Sequence, residues 1–131
     1  MAYSLSRDLV EARTCYKHLA GELGMSIISA LIVCGYIIAH GEDDNTRYAL
    51  SVHGKYWSQR LGIPSLNRTK ISACMDYSHQ GHHISGLWAI DLCAFLFNQR
   101  YIKRGVQNRS IVVTPKGQHF LRDELAVEWN K

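Results

Sequence analysis

Two cysteine–histidine pairs hold most of the reactive chemistry of this sequence. Cys15 and His18 stand three residues apart, and Cys74 precedes the run Asp76-Tyr77-Ser78-His79-Gln80-Gly81-His82-His83. Thiolate sulfur and neutral imidazole nitrogen are good donors for zinc, nickel or copper. Cys15, His18, Cys74, His79, His82 and His83 are therefore candidate ligands for zinc or another transition metal, with Asp76 as a further ligand or as the group that orients one. If the first pair lies on a helix, its spacing puts both side chains on one face. The spacing matches no standard zinc pattern, and two other readings stand beside the metal. In one, His18 and His83 bond nearby backbone near helix ends while Cys15 and Cys74 are small core residues. In the other, Cys15, His18, Cys74, Asp76, Tyr77, His79 and His83 bind a small organic effector. Tyr16, Tyr77, Trp88, Phe95 and Phe97 would then line an apolar pocket, or else belong to the core.

These candidates occupy matching places in an internal repeat. With His18 set on His83, Gly21 falls on Gly86, Leu31 on Leu96, Tyr36 on Tyr101 and Ile37 on Ile102 without a gap. His-Leu-Ala-Gly becomes His-Ile-Ser-Gly, and Leu50-Ser51-Val52-His53-Gly54 matches Val113-Thr114-Pro115-Lys116-Gly117. Upstream, Ala12–Cys15 aligns with Ile71–Cys74 if residues 76–81 are an insertion.

Each copy predicts a first helix, about 5–17 and 66–77, then a short helix or turn at His-x-x-Gly. A longer apolar helix follows, ending at Gly35 and near Asn98–Arg100. Two strands come next, Tyr36–Ala39 with Arg47–Ser51 and Tyr101–Arg104 with Ser110–Thr114, around polar turns. A closing helix is capped by Ser51 or Thr114, with Pro115 at its first position. Gly62-Ile63-Pro64 marks the boundary. The expected fold is α+β and mostly helical: two tandem winged-helix-like repeats, 1–64 and 65–131, related by a pseudo-twofold and sharing one core. The clusters would then meet across the domain.

Hydrophobic residues are 47% and charged residues 20% of the 131, enough apolar material for a packed core. The longest apolar stretch, Met25 to Ala39, is interrupted by Ser26, Ser29, Gly35 and Tyr36 and falls short of a bilayer span. No secretory signal is visible, so the expectation is a cytoplasmic protein away from membranes, with its four cysteines reduced. Net charge is +4, and the excess lies in the second half, around Arg100, Lys103, Arg104, Arg109 and Lys116. These residues suit a solvated turn or a wing that touches phosphates.

Leu19-Ala20-Gly21-Glu22-Leu23-Gly24-Met25-Ser26 resembles the start of a helix-turn-helix. The residues that follow, Ile27–Cys34, offer no side chain that reads base edges, and Gly35 comes too soon for a full reading helix. Enzyme signatures are missing as well: there is no GxSxG, Walker loop, HExxH or dinucleotide fingerprint. Cys74, Asp76 and His79 are packed too closely along one segment to reach the geometry that activates a nucleophile.

Ala12-Arg13-Thr14-Cys15-Tyr16-Lys17-His18-Leu19-Ala20-Gly21 resembles the ARTCYDHLAG signature of a subgroup of ArsR-type helix-turn-helix regulators. Cys74–Ser78 with His83–Gly86 is similar to that subgroup's CxDWSERxxHLAG, although Tyr77 replaces its Trp and His79-Gln80 its Glu-Arg. Thr114–Gly117 resembles its closing LTPxG. In that subgroup these segments follow an N-terminal winged-helix DNA-binding domain. The resemblance therefore implies a regulatory half that senses an effector between the repeats and forms a homodimer. It would reach DNA indirectly, through an attached DNA-binding domain or a partner protein. ArsR-type regulators often sense metals, which adds to the metal reading. The alternative expectation is a small winged-helix protein that contacts DNA phosphates through its basic wing.

Overall fold

In the computed structural model, both Cys–His segments are β-hairpins rather than helices. The structure describes residues 7–15, 17–41, 47–65, 70–76 and 81–130. A short helix α1 (Arg7–Glu11) leads into β1 (Arg13–Cys15), β2 (His18–Ala20), α2 (Gly21–Val33), β3 (Ile37–His40), β4 (Arg47–Leu50) and α3 (Val52–Leu61). The order from β1 onward then recurs as β5 (Lys70–Asp76), β6 (Gly81–Ser85), α4 (Leu87–Asn98), β7 (Ile102–Arg104), β8 (Ile111–Val113) and α5 (Pro115–Leu125).

The expectation of mostly helical winged-helix repeats is thus incorrect. The described residues form five helices and three antiparallel sheets; of the first helix expected at about 5–17 only Arg7–Glu11 is helical, and hairpins take the place of its second half and of the described part of its counterpart at 66–77. Arg13-Thr14-Cys15 and Ile71-Ser72-Ala73-Cys74 are runs of three and four residues, too short for apolar period alone to separate helix from strand. The three-residue step from Cys15 to His18 spans a tight turn, with Lys17 at φ 147°, rather than a turn of helix.

The His-x-x-Gly motif has a backbone role in both copies. Its glycines, Gly21 (φ +75°) and Gly86 (φ +97°), turn the hairpin into the following helix, and a Cβ on Gly21 would lie 2.7 Å from the Val10 carbonyl oxygen. Downstream, the two copies are built alike. The amide N–H groups of Gly54 and Gly117 each donate 3.0 Å to the hydroxyl of the N-cap, Ser51 or Thr114. The Tyr36 ring stacks on Trp57 at 4.7 Å, as Tyr101 does on Phe120 at 4.3 Å.

The hairpins are exchanged between the two runs. β4 pairs antiparallel with β5, giving a sheet of order β3-β4-β5-β6. Reciprocally, β8 meets β1: the Ile111 N–H donates to the Ala12 carbonyl (3.0 Å) and the Thr14 N–H to the Arg109 carbonyl (2.8 Å). One apolar cluster results, fed by α2 (Leu23, Ile27, Leu31) and α4 (Trp88, Leu92, Leu96). Trp88 is fully buried, and its indole N–H donates 3.0 Å to the Ser58 hydroxyl, which donates in turn to the Gly54 carbonyl at 2.7 Å. No helix among the described residues is long and apolar enough to cross a membrane.

Candidate metal centre

Strand register brings each cysteine opposite its histidine. Cys15 pairs with His18 across β1–β2, and Cys74 with His83 across β5–β6. Directly opposed residues of an antiparallel pair project to the same face, with Cβ atoms ~5 Å apart. The two hairpins then face one another: the His18 and His83 rings lie 4.9 Å apart, tilted by 38°. Gly24 of α2 packs beside both hairpins: a Cβ there would stand only 2.8 Å from the Leu19 carbonyl oxygen and in ordinary contact, 3.4 Å, with the His83 Cβ.

One ligand atom from each of Cys15, His18, Cys74 and His83 lies within 4.8 Å of the other three. Tetrahedral zinc with bonds of ~2.3 Å to sulfur and ~2.0 Å to nitrogen needs ligand–ligand edges of roughly 3.3–3.8 Å. Closing the gap takes shifts of about 1 Å or less, within the reach of χ rotations. His18 and His83 are 5% and 1% exposed, while the two cysteines are half-buried. Burial, helped by the neighbouring His83, pushes the His18 imidazole down to about 4, so it is neutral near pH 7, the form that ligates. His18 Nδ1 is buried with no hydrogen-bond partner among the described residues. A buried polar atom left in that state costs about 1–3 kcal/mol, which a bond to a cation would offset.

The other sequence-derived candidates divide. Tyr16, Tyr77 and His79 lie outside the described residues. Asp76 and His82 are placed by register only, opposite Gly81 and Met75. Of the aromatics considered for an apolar pocket, Trp88 is core, and Phe95 packs against the stacked Tyr101 and Phe120 rings, 5.9 Å from each. Cys93 is buried, which raises its thiol to about 11.

Lys116 donates to the Gln99 carbonyl (3.1 Å) beyond the end of α4, and the Thr114 hydroxyl donates to the Arg100 carbonyl (2.7 Å) close by. Lys103 lies on β7. Arg104 and Arg109 instead share a cavity with Thr14 and Lys17. Sequence reasoning missed Thr14 and Lys17. Their one signal was position, since they flank Cys15 and His18 on the same tight hairpin.

The chain is 28% identical over 127 residues to an uncharacterized HTH-type transcriptional regulator, YdfF, of Bacillus subtilis (strain 168). The match covers 93% of this chain and 54% of that protein, so the chain spans about half the length of the curated relative it matches. No family model matches the sequence. No solved structure matches it.

Proposed function

We propose that this chain is the effector-sensing and dimerisation half of an ArsR-like transcription regulator, and that its effector is a transition metal ion, zinc first. The observation that carries the metal is the convergence of Cys15, His18, Cys74 and His83 within 4.8 Å from two separate hairpins. Similarity to an HTH-type regulator twice as long supports the regulatory role, with the DNA-binding part contributed by the remaining length of such a protein. Residues 1–64 and 65–131 are read as two copies of one ββαββα unit, with the site at their junction.

The site joins β1–β2 to β5–β6, and each hairpin also borders a strand of the other run. A ligand set split between two hairpins converts metal binding into a choice of hairpin spacing. The conformation with the tighter spacing is selected, and the dimer surface shifts with it. Bound zinc would supply the cation that fixes two thiolates and two imidazoles in a tetrahedron.

Elemental analysis of tag-free protein tests the site directly, with about one zinc per chain expected and loss in a Cys74→Ala/His83→Ala double variant. Cobalt substitution gives a second readout, an intense tetrahedral visible band with sulfur-to-cobalt charge transfer. Protein that takes up neither metal would end the metal reading. Sensing is tested by sedimentation: a dimerisation constant that is the same with and without zinc would leave a structural ion and no sensor.

A further inference from the structure

A second site lies where the β1–β2 hairpin meets α4 and the β7–β8 turn. Two adjoining cavities share Thr14, Lys17 and Arg104. The inner one, about 220 Å³, is floored by Ile90, Cys93, Ala94 and Phe97 of α4. The outer one, about 530 Å³, opens along Gly105–Arg109 and adds the Arg109 side chain to the cationic wall. Among the described residues, no aspartate or glutamate lines either cavity. Arg104 is fixed in place without being neutralised: its guanidinium lies 4.6 Å over the Phe97 ring and donates 3.5 Å to the Thr14 hydroxyl. Among the described residues, no carboxylate forms an ion pair with Lys17, Arg104 or Arg109.

An apolar chamber that ends in uncompensated cations fits a ligand with an apolar body and one anionic head. We propose that this is a binding site for an amphipathic monocarboxylate, with its hydrocarbon on the α4 floor and its carboxylate between Lys17 and Arg104. Guanidinium and carboxylate match as a planar two-point pair. The apolar floor supplies the area term that a free inorganic anion cannot use. The cavities together fall in the size range of ordinary small-molecule sites, about 300–1,000 Å³. This inference stands beside the metal reading and does not rest on it, because none of the four ligands lines either cavity.

Calorimetric titration of the full chain with sodium octanoate tests it, with octylammonium chloride, sodium phosphate and a short DNA duplex as comparison probes. One octanoate per chain is expected, bound at least about tenfold more tightly than octylammonium or phosphate and weakened by salt. A Lys17→Gln/Arg104→Gln double variant should lose about tenfold or more in affinity. Ala94→Trp, an exposed helix position on the cavity floor, should do the same by filling the chamber, without touching a charge or the core. Equal binding of octylammonium would reduce the site to apolar capture, and equal binding of phosphate would reduce it to a bare anion site. Either would overturn the proposal, as would octanoate binding that survives both variants or fails to occur at millimolar concentration. DNA binding lost in the double variant, without octanoate binding, would reassign the cations to a phosphate backbone.

Discussion

His18 is where burial acts most visibly on a single side chain. Its imidazole falls from 6.5 to about 4, first because burial disfavours the charged form and second because His83 is close. The folded value is the depressed one, so the unfolded chain takes up this proton first as pH falls. The stability tied to neutral His18 is present above pH ~6.5 and is lost progressively toward pH ~4, by at most about 3 kcal/mol. Urea unfolding of metal-free protein should show that loss over this window, and His18→Gln should flatten it; an equal slope in the variant would show that another group is responsible. Ser58 is the second instructive residue. Ser58→Ala leaves the buried Trp88 indole N–H without its acceptor, so it should cost about 1–3 kcal/mol in the same measurement.

At the scale of elements, the hairpin and the close helix contact matter more than helix propensity. Gly24 sits inside α2, where alanine would ordinarily be the better helix former. Here its Cβ would press on the Leu19 carbonyl and displace β2, which carries His18. Gly24→Ala should therefore destabilise by about 1–3 kcal/mol and weaken zinc binding as well, measured by thermal unfolding and by competition with a chelator. A variant that loses stability but keeps its zinc affinity would separate α2 packing from the site. The cap residues are simpler. Ser51→Ala and Thr114→Ala should each cost ~0.5–2 kcal/mol, and similar losses are expected because the two caps make the same bond. The helices α2, α4 and α5, the β3–β4 and β7–β8 hairpins and both caps were readable in the sequence, because long apolar runs, polar turns and N-cap residues are local signals. The hairpins β1–β2 and β5–β6 were not, because runs this short carry no decisive period and their strand character comes from pairing.

For the whole molecule, the exchange of hairpins is the defining feature. β4 reaches β5 and β8 reaches β1, so neither run completes its sheet contacts alone. A cation held by Cys15, His18, Cys74 and His83 would cross-link parts of the chain far apart in sequence, and ligand binding to the folded state adds stability by mass action. At free zinc a thousandfold above its dissociation constant, the gain is about 4 kcal/mol. Thermal unfolding should shift upward with zinc, return with chelator and stay unmoved in the Cys74→Ala/His83→Ala variant. A shift that persists in that variant would place the ion elsewhere.

The sequence by itself determined the repeat, the capped helices and the identity of the chemically capable residues, because these depend on residue type and local spacing. It also singled out all four members of the cluster, Cys15, His18, Cys74 and His83, but not that these four converge. That was decided by the tertiary structure, through cross-strand register and the exchange of hairpins, which turn two separate pairs into one group of ligands. The same exchange set Lys17 near Arg104 and above an apolar floor on α4, a neighbourhood made from residues far apart in the chain. Proximity of that kind is a property of packing, and no local period or composition encodes it.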